Sequence, residues 1–125
     1  MQCTVSLSST WQKIRALVVG INDYKPESGL PELTNAVPDA QAVRNMLRDK
    51  GAEVFYGENL TIEEFQTLEE EFRDALQKDD IAIVSFAGHA CTFNSAMHLM
   101  TVTDGKPRVQ DDAVNILQLN IRLAQ

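Results

Sequence analysis

The chain is of ordinary domain length and acidic. Its 125 residues are 44% apolar, enough for one domain with its own core, and its net charge is −7. This charge disfavours nucleic acid and anionic membrane surfaces as partners. Membrane spans need about 20 consecutive apolar residues, which this sequence lacks, and its first ten residues do not resemble a signal peptide. We therefore expect a soluble, cytoplasmic protein.

The chain begins with a polar segment and then a predicted strand. Residues 1–10 show neither helical nor strand periodicity and are expected to form a flexible extension, so that the folded domain covers residues 11–125. The run from Ile14 to Ile21 is apolar apart from Arg15, which is typical of a central strand in a parallel sheet. It is followed by Asn22-Asp23-Tyr24 and a loop rich in proline and glycine.

Two amphipathic helices are predicted next, with a short strand between them over residues 52–56. Apolar residues recur at helical spacing from Ala36 to Leu47. Thr61 and Glu64 have the spacing of a capping box, which begins the second helix. The acidic run from Glu69 to Glu71 is expected on or near the solvated side of that helix. Its buried face is predicted to consist of Phe65, Leu68, Phe72 and Leu76.

The most informative stretch is Ile81-Ala-Ile-Val-Ser-Phe-Ala-Gly-His-Ala90. Its apolar run predicts a parallel strand buried on both faces. His89 would then lie at the carboxyl end of the strand, where α/β sheets bind ligands. An imidazole there is either a catalytic group or a histidine hydrogen-bonded at a strand terminus, and position alone leaves both interpretations open.

The predicted elements form an α/β fold, a three-layer α-β-α sandwich with a mostly parallel sheet. Residues 97–102 suit a short extended piece, and residues 113–124 suit a helix that is apolar around most of its circumference. Such a helix requires partners on more than one side, and three strands make a narrow sheet. The fold is therefore expected to be incomplete at its C-terminal side, and a strand after Gln125 or a partner chain would complete it.

Several motifs together resemble a known family. They are Ala16 to Tyr24, Leu30 to Leu33, Asn35 to Ala40 opening a helix, Val84 to His89 closing a strand, and Met97 to Asp104. In this order and spacing the sequence is similar to the caspase-like cysteine peptidases. Within them it is most similar to the large (p20-type) subunit of the metacaspase and paracaspase branch.

The resemblance implies a function for individual residues. His89 would be the general base that activates a cysteine nucleophile, acting on a peptide or protein substrate. The backbone amide of Ala90, where the family usually has glycine, would bind the oxyanion. Asp39 would line a pocket selective for arginine or lysine, although in a helix's first turn it also complements the helix dipole. Asp23 and Tyr24 would help to shape the same cleft.

Neither cysteine of the chain is predicted to be the catalytic nucleophile. Cys91 is only two residues from His89, too close along one chain to approach a carbonyl from the opposite wall of a cleft, and Cys3 lies in the extension. Both are expected to be free thiols. In the family the cysteine follows on the next strand, which would fall shortly after Gln125. Three alternatives are therefore expected. The sequence stops before the catalytic cysteine, or it is a processed large subunit completed by a small-subunit-like segment, or it is a catalytically inactive interaction module.

No cofactor or metal is predicted. The spacing of His89, Cys91 and His98 matches no common zinc site. Paired aspartates at the place of Asp111 and Asp112 bind calcium in some metacaspases, which makes calcium the alternative. Helix capping by Asp112 is the favoured interpretation, since a calcium site needs six or more oxygens. A nucleotide site is disfavoured because Gly20 to Asp23 lacks a glycine-rich loop.

Overall fold

A computed structural model describes residues 13–103, 108, 113–116, 118 and 119. The predicted extension over residues 1–10 and the Asp111–Asp112 pair lie outside these residues. The strands are β1 (Ile14–Gly20), β2 (Glu53–Glu58), β3 (Ile81–Ala87), β4 (Ala90–Phe93), β5 (Ala96–Met100) and β6 (Ala113–Asn115). The helices are α1 (Ala36–Asp49), α2 (Ile62–Ala75) and a short 3-10 helix, Pro26–Ser28.

The first three strands form a parallel sheet in the order β2-β1-β3. In register, Ala16 of the central strand lies opposite Val54 of β2 and Ile83 of β3. Helix α1 lies in the connection from β1 to β2, and α2 in that from β2 to β3, so each connection returns the chain to the starting edge, as parallel pairing requires. The central position of β1 agrees with the apolar run from Ala16 onward, and the parallel sheet is confirmed.

The sheet lies between the two helices, which confirms the three-layer arrangement. Side chains alternate across β1 because successive residues of a strand point to opposite faces. Ala16 and Val18 pack with the α1 side of the core. Leu17 and Val19 pack with the α2 side. Both layers are therefore built on one strand, of which residues 16–19 are at most 1% exposed.

Helix α1 packs closely against the sheet at Gly20. A Cβ atom there would lie 2.7 Å from the Cβ of Ala40 and 2.9 Å from the carbonyl oxygen of Ala36. We therefore expect Gly20→Ala to lower the free energy of unfolding by about 1–3 kcal/mol, because helix and sheet must move apart. Urea denaturation measures the loss. Gly57→Ala is the control: its added methyl would meet mobile ends of leucine side chains, so a loss as large as that of Gly20→Ala would contradict this explanation.

Helix α2 has the predicted start. The Thr61 hydroxyl accepts from the amide of Glu64, and the Glu64 carboxylate accepts from the amide of Thr61. The solvated position predicted for Glu69 is wrong: this residue is 3% exposed, and its carboxylate is 2.6 Å from Nη1 of Arg73 one turn later. Charge patterning alone did not reveal that this ion pair allows the carboxylate to be buried. No helix within the described ranges is both long enough and apolar enough to cross a bilayer.

Strand β3 is more exposed than predicted. Ile81 and Val84 are 41% and 37% exposed, so the expectation of burial on both faces is wrong. The cause is position, because β3 pairs with β1 on one edge and no described strand pairs with its other edge. An apolar strand exposed in this way fits the expectation that the sheet is incomplete beside β3.

A second, antiparallel sheet in the order β4-β5-β6 was not predicted. Strand β5 corresponds to the predicted extended piece. Strand β4 joins it through Asn94 and Ser95, whose φ angles of 51° and 64° are those of a two-residue hairpin turn. The helix predicted from residue 113 is wrong at its start, because Ala113–Asn115 is a strand paired with β5 and helical conformation begins at Ile116.

Candidate active site

Four of the sequence-predicted site residues lie at one edge of the parallel sheet. His89 follows the carboxyl end of β3 after Gly88, and Asp23 and Tyr24 follow the carboxyl end of β1. Asp39 lies in the first turn of α1, the helix that begins at this edge. Parallel strands end at the same edge, and helices that follow them begin there, which brings these residues together.

The imidazole of His89 is half-buried and held by a backbone carbonyl. Its Nε2 lies 2.8 Å from the carbonyl oxygen of Pro31. A carbonyl oxygen can only accept, so Nε2 carries the proton and Nδ1 of the neutral ring has the lone pair. A histidine in this state can take up a proton at Nδ1 while the Pro31 carbonyl stabilises the resulting imidazolium.

Asp23 and Tyr24 occupy different environments despite being neighbours. Asp23 is exposed, and its amide donates to the side-chain oxygen of Asn59 at 3.1 Å. Tyr24 is 2% exposed, and its ring lies edge-on to that of His89 with 4.6 Å between the centroids. Tyr24 thus contacts the candidate base from inside the fold, whereas Asp23 lies on the surface.

Two asparagines that the sequence analysis did not single out organise this edge. The side-chain oxygen of Asn59 accepts from the backbone amides of Asn22 and Asp23. The backbone amide of Asn59 donates to the carbonyl of Gly20. The side chain of Asn22 accepts from the amide of Val37 and so caps α1, for which Asn35 makes no side-chain bond. A signal was present, because asparagine tolerates the left-handed conformation that Asn59 adopts with φ 50°.

Asn22 also shapes the loop that carries the Pro31 carbonyl. Its backbone oxygen accepts from the amides of Tyr24 and Leu33, each at 2.9 Å. The bond from Leu33, two residues after Pro31, thereby holds the loop against the end of β1. The position of the carbonyl that engages His89 is thus fixed by backbone bonds.

A cavity of about 340 Å³ lies beside this edge. Its walls include Glu32, Asp39, Ala87 and Gly88. Two acidic residues therefore line a space that is also bounded by the residues immediately before His89. Such a cavity favours a cationic group, because a carboxylate forms charge-assisted hydrogen bonds with guanidinium or ammonium.

The remaining candidates lie on the antiparallel sheet. Ala90 is exposed as the first residue of β4. Cys91 is half-buried, and its thiol lies 3.6 Å from the sulfur of Met100. His98 is 6% exposed, and its Nδ1 lies 3.1 Å from the carbonyl oxygen of Ala96. Within the described residues, no three side chains of His, Cys, Asp or Glu are grouped to hold a metal ion.

A second cavity, of about 280 Å³, lies between α2 and the antiparallel sheet. Its walls include Ile62, Phe65, Phe93 and His98. Of the candidates considered from the sequence, His98 lines this cavity, but no catalytic or substrate-binding role was predicted for it. The cavity beside His89 is therefore the better candidate for a substrate pocket.

Comparison with known proteins agrees with this arrangement. A search of curated proteins found no match. The family model of the caspase domain, peptidase family C14, matches residues 13–121. The match covers every described strand and helix, including the edge that carries His89. The chain belongs to the caspase domain family of cysteine peptidases.

Proposed function

We propose that this chain provides the general base and the substrate pocket of a caspase-like cysteine endopeptidase. The observation that carries the proposal is the contact of His89 Nε2 with the Pro31 carbonyl at 2.8 Å, which supports Nδ1 as the nitrogen that transfers the proton. The position of the ring at the carboxyl edge of a parallel sheet supports the same role.

The chemistry follows from the two forms of the imidazole. Nδ1 takes the proton of a cysteine thiol, and the thiolate attacks the peptide carbonyl to form a tetrahedral oxyanion. As the oxyanion collapses, the C–N bond breaks, and the imidazolium returns its proton to the leaving amine. Water, deprotonated by the same nitrogen, then hydrolyses the thioester and releases the acid and the thiol. No cofactor or metal enters this sequence.

The backbone amide of Ala90 is the proposed oxyanion donor. Ala90 is exposed and adjacent to His89, so a bound carbonyl could reach both. The family usually has glycine at this place. Alanine keeps the backbone amide donor, but its methyl group narrows the space beside that amide. We therefore expect a more restricted choice of substrate side chains.

The cysteine is proposed to lie on a strand paired with the open edge of β3. Among the described strands β3 has β1 as its partner, and Ile81 and Val84 on it are partly exposed. A parallel strand added there would end at the same edge as His89, within reach of Nδ1. A following small-subunit-like segment or another chain would supply it.

Specificity for arginine or lysine before the scissile bond is proposed from the cavity that contains Asp39 and Glu32. We expect Asp39→Asn to lower kcat/KM for arginine peptides by about 10- to 100-fold, the value of a charge-assisted hydrogen bond. The substitution keeps the side-chain shape and removes the charge. Hydrolysis is measured on fluorogenic peptides that differ only in the residue before the scissile bond: Arg, Lys, Asp or Leu.

The assay uses protein purified from the organism that produces it, so that any segment or partner that stays bound is retained. Glu70→Gln is the matched control, since it removes one carboxylate from the exposed side of α2. Unchanged preference in Asp39→Asn, or an equal loss in Glu70→Gln, would contradict the role of Asp39. Absence of hydrolysis of all four peptides would contradict the peptidase itself.

A catalytically inactive interaction module is the second candidate function. The exposed apolar edge of β3 favours it, because such an edge binds an added strand whether or not that strand carries a cysteine. The two functions differ in turnover: a module binds its partner through β3 and hydrolyses none of the four peptides.

A further inference from the structure

The backbone of His89 is held on both sides by a closed set of hydrogen bonds. Its amide donates to the hydroxyl of Tyr24 at 2.9 Å, and that hydroxyl donates to the carbonyl of Met100 at 2.8 Å. The amide of Met100 in turn donates to the carbonyl of His89 at 2.9 Å. One phenol thus joins the end of β1 to the β3–β4 corner and to β5.

The hydroxyl of Tyr24 keeps its proton under ordinary conditions. Burial raises the pKa of Tyr24 to about 12, although the bond from the His89 amide opposes this shift. The phenol therefore donates to Met100 and accepts from His89 throughout the neutral range. Neither bond is lost through titration of the phenol at neutral pH.

Gly88 permits this close approach. A Cβ atom at position 88 would lie 2.6 Å from the Tyr24 hydroxyl oxygen, closer than atoms that are not hydrogen-bonded can come. The ring of Phe86 would lie 2.9 Å from the same Cβ atom, so the phenol and this ring together require glycine before the histidine.

We propose that Tyr24 is a positioning residue for His89: its hydroxyl fixes the backbone of the histidine so that Nε2 meets the Pro31 carbonyl and Nδ1 is left to take up a proton. This rests on the proposed function of His89 as general base. Tyr24 fixes the ring at its Cα end, and Pro31 fixes it at the far nitrogen. Two such attachments leave the imidazole one orientation, which is the preorganisation that proton transfer requires.

Tyr24→Phe tests the proposal, with Tyr56→Phe as the matched control. Each change removes one phenol hydroxyl and keeps the ring. The Tyr56 hydroxyl donates to Glu58 on β2, away from His89. Ring-nitrogen NMR of His89 reports its tautomer directly, and amide hydrogen exchange reports its backbone bond.

We expect Tyr56→Phe to keep the Nε2-protonated tautomer of His89, and Tyr24→Phe to give a mixture of both tautomers. The His89 amide should exchange about tenfold faster in Tyr24→Phe, relative to amides of β1, from the loss of one buried hydrogen bond. In the peptidase assay, kcat should fall roughly ten- to a hundredfold with KM unchanged, because the base is misplaced and the substrate pocket is intact.

The two proposals fail separately. An unchanged tautomer in Tyr24→Phe overturns the positioning role even where the protein is an active peptidase. A tautomer mixture in Tyr24→Phe supports positioning even where no peptide is hydrolysed, in which case only the peptidase proposal fails. Should Tyr24→Phe not fold, Gly88→Ala displaces the hydroxyl and keeps the phenol. A single Nε2-protonated tautomer in Gly88→Ala would then overturn the positioning role.

Discussion

Replacing His89 by glutamine is expected to lower kcat/KM for peptide hydrolysis by about 10²- to 10⁴-fold, the usual contribution of a general acid–base group. The glutamine amide can still donate to the Pro31 carbonyl, so the loop and the fold should be preserved. It cannot accept a proton at neutral pH. The loss therefore measures proton transfer, separately from the hydrogen bond that Nε2 makes at 2.8 Å.

The chain offers a matched control in its other histidine. His98 is buried on β5, and its Nδ1 lies 3.1 Å from the Ala96 carbonyl. Asparagine places an amide nitrogen near the position of Nδ1, so His98→Asn should keep that contact and keep most of the activity. A His89→Gln protein that hydrolyses peptides at the wild-type rate would remove His89 from the mechanism.

Replacing Phe72 by alanine is expected to destabilise the fold by about 3–5 kcal/mol, as for other fully buried aromatic side chains. Phe72 is 0% exposed, and its ring lies edge-on to that of Phe55 with 5.7 Å between centroids. It packs α2 against the sheet within the larger of the two hydrophobic clusters. Domains of this size have about 5–15 kcal/mol of stability in total, so much of it would be lost.

Urea denaturation followed by fluorescence or circular dichroism measures this change. Phe93→Ala is the control, since Phe93 lies on β4 and is already 37% exposed. Its removal should cost less than half as much, because a partly exposed side chain leaves no closed cavity. Equal losses for the two variants would show that the layer between α2 and the sheet is not the main core.

Local signals in the sequence were sufficient for the elements beneath the site. The apolar run of β1, the stripe of α1 and the capping box of Thr61 with Glu64 each depend on neighbours along the chain. They predicted the element types and the parallel sheet, whereas the place of His89 and Asp39 in one cleft was implied by the family resemblance. The alternation of α1-facing and α2-facing residues on β1 then followed from geometry.

Features that depend on distant partners were not predictable in the same way. The partner of His89 is a backbone carbonyl, that of Pro31, which leaves no mark in the sequence. Periodicity reports the chemistry of β3 but not whether a neighbour covers it, so its exposure was missed. Residues 113–115 have a composition that suits either a helix or a strand, and pairing with β5 decided the outcome.

Strand β4 was missed although a local signal existed. Asn94 begins a two-residue turn in which both central residues have positive φ, and asparagine is favoured at such positions. The flanking strands are short, Ala90–Phe93 and Ala96–Met100, and carry no strict alternation. A turn residue between short, mixed segments is a weaker indication than the long apolar run that precedes it.

The central position of β1 has a consequence for synthesis in the cell. Its Arg15 is paired with Asp80, 65 positions later in the chain, so the first strand leaves the ribosome well before its second neighbour. Contacts between such distant positions make folding slow, and an unpaired apolar strand is prone to aggregate during the delay. Nascent chains in which β3 has not yet been synthesised should therefore depend on chaperones. Once β3 has been synthesised, it can pair with the open edge of β1.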